Sequence, residues 1–164
     1  MQTILRIHRP RSLLKNLWAL TNPNWGVVQE DSRMFWQTEI DVENIGLIVP
    51  PRLRDREVRL EKWLEKISTK RECLPLSAQV GFSLRQKSTQ HLLEHLRVDR
   101  GVTELDFPGT IFHDARGVHC IFRLWYHKGW NYSFWSLGWP TSCPSAILVH
   151  GQAVAYSENR QNKT

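Results

Sequence analysis

Between Val118 and Trp139 the chain interleaves aromatic rings with cations and imidazoles: Val118-His119-Cys120-Ile121-Phe122-Arg123-Leu124-Trp125-Tyr126-His127-Lys128-Gly129-Trp130-Asn131-Tyr132-Ser133-Phe134-Trp135-Ser136-Leu137-Gly138-Trp139. Four of the eight Trp fall within these last fifteen positions. Indole rings offer flat apolar faces on which bases stack, and a guanidinium beside them meets phosphate, as in proteins that hold single strands. If the run is a strand, its alternation sorts Val118, Cys120, Phe122, Leu124 and Tyr126 onto one face and His119, Ile121, Arg123, Trp125 and His127 onto the other. The first set is core-like. The second mixes cation with ring, so it is expected to face a ligand, with Trp125, Trp130 and Trp135 stacking and Arg123 on phosphate. The ordinary alternative is a sheet whose second face is also covered by a helix, which would bury Trp125 and Ile121.

Two basic clusters add phosphate chemistry. The first fifteen residues carry Arg6, Arg9, Arg11 and Lys15 with no acid among them. Residues 52–71 carry Arg52, Arg54, Arg56, Arg59, Lys62, Lys66, Lys70 and Arg71 against Asp55, Glu57, Glu61 and Glu65. On a helix, Arg52, Arg56 and Arg59 share a face that can track a phosphate backbone. The alternative is a solvated helix face balanced by its own acids.

His91-Leu92-Leu93-Glu94-His95 has the form H-x-x-E-H and resembles the motif of the inverted zinc peptidases. That resemblance covers five residues only. It implies two His at i, i+4 sharing a zinc, with Glu94 as the base. No third ligand declares itself and the chain is short for such an enzyme, so neither metal nor cofactor is expected; His91 and His95 are the subordinate candidates if a metal binds. His113, His119, Cys120, His127, Cys143 and His150 are scattered late in the chain. A hairpin can bring His113 and His119 together for metal-free acid–base cleavage of RNA, although no spacing forces this. Cys143 sits in Thr141-Ser142-Cys143-Pro144 with no base nearby to mark it as a nucleophile.

The elements that must position these groups read as follows. Residues 3–9 form a short strand, and Pro10 opens a helix with Leu13, Leu14, Leu17 and Trp18 on one face. Residues 25–28 and 33–40 form a hairpin around Gln29-Glu30-Asp31-Ser32, and residues 41–46 a loop before a buried strand at Leu47-Ile48-Val49. Leu60, Trp63, Leu64 and Ile67 give the stripe of a helix over 54–70. Residues 74–84 fit neither period, and a helix over 89–97 has Ser88 as its cap and Leu92, Leu93 and Leu96 as its apolar face. From Gly101 the pattern is β: 102–107 ended by Pro108-Gly109, then 110–113, 118–127 and 130–137 joined by turns, and a last small hairpin of 147–149 with 153–156. The sum is an α+β domain over 1–156, an antiparallel sheet of five to seven short strands with two or three helices packed on it, followed by a polar tail at 157–164.

A chain of 164 residues with 41% apolar and 23% charged residues has ordinary globular composition and suits one domain. Lys and Arg outnumber Asp and Glu by 22 to 16, giving a formal net charge of +6 that favours polyanions. Three widely spaced Cys argue against a disulfide framework. The first ten residues lack a signal-like apolar core, and no run has the length of a membrane span, so a cytoplasmic protein (nuclear, if the host is a eukaryote) that is neither secreted nor membrane-bound is expected. There is no glycine-rich phosphate loop. These features point away from catalysis. They favour a basic, Trp-rich binding protein for RNA or single-stranded DNA, an RNA-binding or structural subunit of a ribonucleoprotein or antiviral defence complex with other protein subunits as partners. Two further readings stand beside it: a protein-interaction module or inhibitor that binds an acidic partner, and a small hydrolase or nuclease that uses His residues.

Overall fold

A computed structural model describes residues 3–7, 13–33, 38–50, 58–68, 73–141 and 143–149. In chain order it contains β1 (Ile4–Arg6), α1 (Leu13–Leu20), β2 (Gly26–Glu30), β3 (Glu39–Asp41), β4 (Ile45–Ile48), β5 (Val58–Arg59), α2 (Leu60–Ser68), β6 (Cys73–Pro75), α3 (Ala78–Leu84), α4 (Gln90–Arg100), β7 (Glu104–His113), β8 (His119–Tyr126), β9 (Trp130–Ser136), β10 (Pro140–Thr141) and β11 (Ser145–Val149). The architecture is α+β, as the sequence pattern implies. Seven strands make the main sheet in the order β4-β11-β7-β8-β9, with β2 also on β7 and β6 also on β11. Its pairings are antiparallel except for the parallel touch of β11 on β7 at Ser145 and Asp106. Two small ladders, β1 with β3 and β5 with β10, complete the strands.

The two faces of the β7-β8-β9 meander bury two separate apolar clusters. On one face Phe107, Phe112, Phe122 and Leu124 meet Leu17, Leu84, Leu92 and Leu96 from the helices. On the other, Ile121 and Leu137 meet Leu60, Trp63 and Ile67 of α2. Three phenylalanines, Phe107, Phe112 and Phe122, are among the largest fully buried side chains, so the centre of the sheet carries much of the apolar burial.

α3 is the element with no legible period, because every one of its residues from Ala78 to Leu84 is buried. A helix surrounded on all sides has no polar stripe to betray its pitch. Gly81 lets it lie directly on the sheet, since a Cβ there would stand 2.7 Å from the Phe122 ring. α4 starts from Thr89 rather than Ser88, with a 3-10 turn at Lys87–Thr89 before it. It ends at Gly101, whose φ of 67° returns its N–H to the carbonyls of Arg97 and Leu96.

Several local expectations are corrected. Among the described residues β2 pairs with β7 and β3 with β1, in place of the expected hairpin of 25–28 with 33–40, of which residues 34–37 lie outside the described part. Val42–Asn44 is a 3-10 turn capped by the Asp41 side chain, and the strand after it begins at Ile45. Trp18 is 44% exposed, so the buried side of α1 is Leu17's and not Trp18's. Pro108-Gly109 does not end a strand, because β7 runs through it with a register shift between Phe107 and Phe112. The bulge accommodates a proline that has no N–H to give the ladder. It also frees Gly109 to donate to the Leu76 carbonyl (2.9 Å) and accept from Asp31 N–H (2.8 Å). Residues 54–57 and 153–156 lie outside the described residues. Within the described part, residues 58 and 59 are strand and α2 begins at Leu60.

Candidate nucleic-acid interface

The β8–β9 hairpin fixes the aromatic run. Its turn holds Lys128 at φ 54° and Gly129 at φ 142°, and Asn131 Nδ2 donates to the carbonyls of His127 (3.2 Å) and Gly129 (2.8 Å). Register sets Ile121 opposite Trp135, Arg123 opposite Ser133 and Trp125 opposite Asn131 on one face, with Phe122 opposite Phe134, Leu124 opposite Tyr132 and Tyr126 opposite Trp130 on the other. The assignment of alternate residues of β8 to two faces agrees with this register. α2 covers the second face only in part: Ile121 is buried, Trp125 half-buried, and His119 and His127 exposed.

The expected outward role of Arg123 is corrected by its surroundings. Arg123 is 7% exposed and Asp106, opposite it on β7, is 0% exposed. Arg123 Nε donates to Asp106 Oδ1 (2.6 Å) and Nη2 to Oδ2 (2.9 Å), a bidentate pair. Nη2 also donates to Thr141 Oγ1 (3.0 Å), which itself accepts from Cys143 N–H (3.2 Å). Nearby, Trp63 of α2 donates its indole N–H to buried Ser145 Oγ (3.1 Å). Burial pushes the Asp106 carboxyl above its ordinary range, against the pull of the Arg123 guanidinium. The same burial raises the Cys143 thiol far above its usual value, so it is no nucleophile. Arg123 thus meets Asp106 and not phosphate, because its guanidinium is buried among Asp106, Thr141 of β10 and the Trp135 ring.

What Arg123 does present is a ring. Its Cζ lies 4.1 Å from the centroid of Trp135. The Trp135 indole N–H donates to the Pro140 carbonyl (3.0 Å), and its ring meets Trp139 edge-on at 5.1 Å. Trp139 is 53% exposed. β10, which begins at Pro140 directly after Trp139, runs alongside β5, where exposed Arg59 is in register with Pro140. Further along the same face Trp125 stacks on His127 at 6.4 Å. Position 125 is four residues along β8 from the site opposite Trp135, a separation of about 13 Å at the rise of a strand. The face is mixed in charge, since Glu104 stands opposite Trp125.

The structure does not bring all the expected residues together. Trp130 packs toward the other core, edge-on to Tyr126 at 5.7 Å, and so does not share a surface with Trp125 and Trp135. Arg59 lies on β5, not on the helix. Arg6 is exposed and pairs with Glu39 (3.2 Å), and Lys15 is exposed on α1. Arg9, Arg11, Arg52 and Arg56 lie outside the described residues.

The H-x-x-E-H motif is committed elsewhere. His95 Nε2 bonds Glu43 Oε1 (2.6 Å) and Nδ1 bonds Asp99, while Glu94 accepts from Arg97 Nε (2.8 Å) and His91 is exposed. No group of three or more His, Cys, Asp or Glu among the described residues is placed to hold a metal. The Glu43 carboxylate, with Asp99, raises the His95 pKa above 6.5. His113 and His119 are in register, but His113 Nδ1 bonds the Asp114 carbonyl (3.1 Å). Burial pushes the Cys120 thiol up to about 12.

Sequence reading missed Asp106, Thr141 and Trp139. Asp106 is a lone acid inside an apolar strand, Leu105-Asp106-Phe107, which is itself a sign of a buried partner. Trp139 follows Gly138 and precedes Pro140, a large ring in a turn where packing gives it no reason to be. No family model, curated protein or solved structure compared with the chain matches it. No helix among the described residues is long and apolar enough to cross a membrane.

Proposed function

We propose that this protein is a non-enzymatic, nucleic-acid-associated binding protein for RNA or single-stranded DNA, working as a subunit of a larger ribonucleoprotein or defence assembly. The observation that carries the reading is the open part of the second sheet face. There Trp125, Trp135 and Trp139 share one surface, and Arg59 stands exposed on β5 against the strand that follows Trp139. Rings at these positions offer stacking surfaces to successive unpaired bases, a mode that tolerates any base because each has a π-face. The buried Arg123 fixes the plane of Trp135 from below, so the ring is held before a ligand arrives. Phosphate attraction comes from Arg59 and from the Arg-rich segments of the chain, within a formal net charge of +6.

Fluorescence anisotropy of the pure protein with labelled single-stranded RNA, single-stranded DNA and duplex, at low and moderate salt, tests this. The expected result is preference for an unpaired strand and affinity that falls as salt rises. Absence of binding to all three at low salt would overturn it. The same surface would then fit the alternative, an acidic protein partner for which Trp139 supplies the exposed anchor.

A further inference from the structure

Among the described residues β9 lies at the end of the strand order and has one neighbour, β8. The direction of its main-chain groups follows from the hydrogen bonds around it. Tyr126 N–H donates to the Thr103 carbonyl, on the side of β8 away from β9. Even-numbered residues of β8 therefore turn away from β9, and Ile121, Arg123 and Trp125 turn toward it. Their partners Trp135, Ser133 and Asn131 use their N–H and C=O groups on β8. Trp130, Tyr132 and Phe134 then turn theirs outward, and among the described residues no main-chain group answers them.

Edge strands of this length are ordinarily protected by a charge, a proline, a bulge or a covering segment. Trp130-Asn131-Tyr132-Ser133-Phe134-Trp135-Ser136 has no charge and no proline, and its pairing with β8 runs without a register shift. All seven of its residues are half-buried. The strand is also self-complementary. An antiparallel copy related by a two-fold axis at Ser133 sets Tyr132 opposite Phe134 of the second copy, Asn131 opposite its Trp135 and Trp130 opposite its Ser136. The outward-facing residues fall into hydrogen-bonded register, aromatic meets aromatic on one face, and no like charges oppose each other. A Lys or Glu at position 133 would meet its own charge across the axis, and the strand carries none.

We propose that β9 is a homodimer seam, at which two copies of this chain pair edge to edge about Ser133 and continue the sheet across both subunits. The proposal is independent of any nucleic-acid ligand.

Sedimentation velocity of the full chain at about 100 µM, a concentration that populates even weak dimers, reads the state directly against the 19.3 kDa monomer. The expected wild-type result is a dimer. Ser133→Lys and Ser133→Glu each place like charges across the two-fold axis and are expected to be monomeric, while an equimolar mixture of the two is expected to form a heterodimer. Wild type that sediments as a monomer overturns the proposal. So does a dimer that survives both substitutions, or a mixture that stays monomeric. Hydrogen exchange at the Tyr132 and Phe134 amides needs no variant. They are expected to exchange at least about tenfold more slowly in concentrated than in dilute protein, and equal rates overturn the seam.

Discussion

Arg123→Met is the substitution whose outcome the structure sets most tightly. Met has a similar unbranched length and keeps the apolar contact under Trp135, so the change removes chiefly the guanidinium. Asp106, 0% exposed, then loses both bidentate bonds and keeps two weak partners, Thr141 Oγ1 at 3.4 Å and the Cys143 thiol. Stranding one member of a buried pair costs about 3–5 kcal/mol, a large share of a typical domain stability of roughly 5–15 kcal/mol. For a chain of this size that is a fall in Tm of roughly 6–20 °C. The carboxyl has an escape, which is to take up a proton. Burial already holds its folded pKa above 3.8, and without Arg123 it must rise further. A raised folded pKa binds protons that the unfolded chain releases, so the deficit vanishes below the unfolded value near 3.8 and grows as pH rises toward the folded one. Urea unfolding from pH 4 to pH 8 is therefore expected to show the Arg123→Met penalty widening with pH. The double variant Asp106→Leu/Arg123→Met removes the buried charge and is expected to be more stable at pH 7 than Arg123→Met alone. A penalty under about 1 kcal/mol at pH 7, the level of an exposed pair, would refute the account of a desolvated ion pair, as would a double variant less stable than the single.

Other outcomes follow from single contacts. Trp125→Ala is expected to leave the far-ultraviolet dichroism and the cooperativity of thermal unfolding intact and to weaken single-strand binding by about 1–3 kcal/mol, the value of one stacked base, measured by anisotropy; loss of fold would show that Trp125 is core. Trp130→Ala is expected to lower Tm instead, since its ring packs on the opposite core. His95 has a folded pKa above 6.5, so its stabilising contribution is complete below about 6.5 and is lost as pH rises through the folded value. His95→Gln is expected to flatten the stability curve above pH 6.5, and an unchanged slope would detach His95 from Glu43 and Asp99. Gly109→Ala would drive a Cβ to 2.4 Å from the Pro75 carbonyl oxygen and is expected to cost about 1–3 kcal/mol, the range of overpacked sites, in chemical unfolding.

The sequence showed the class of fold and the meander at 104–136 because alternation and turn residues are local signals. Asp114 illustrates the point: its Oδ1 accepts from Arg116 N–H and Val118 N–H, both at 2.8 Å, so the turn is written in four residues. What local pattern could not show is partner choice. β2 has a plausible hairpin neighbour in sequence, yet it pairs with β7 some eighty residues on, because that edge buries Val27 against the main core. α3 was illegible because total burial erases amphipathic period. Pro108 read as a stop because a proline removes a ladder donor, and only the neighbouring Gly109–Leu76 and Asp31–Gly109 bonds explain why the strand continues.

The candidate surface was legible in composition and misread at Arg123 and Trp130. Alternation placed Arg123 and Trp125 on a common face, and the register agrees. It could not say how far α2 reaches across that face. The decision lies with Asp106, which on its own strand looks like an isolated acid and in the sheet stands opposite Arg123. A cation beside indoles is ambiguous in sequence because the same guanidinium serves phosphate when exposed and fixes a ring when paired. Here the pairing consumes Arg123, and the surface proposed for stacking rests on Trp125, Trp135 and Trp139, the last of which lies beyond the strand altogether. That shift bears on the proposed seam. Trp135 sits on β9 next to the edge, so two copies paired about Ser133 would set Trp135 of each beside Asn131 of the other and merge two short aromatic faces into one. In such a dimer a strand reading both faces would gain effective concentration at the second site. Ser133→Glu would then weaken a longer oligonucleotide more than a short one that fills a single face. Equal weakening of both would separate the seam from the ligand surface and leave each proposal to stand on its own test.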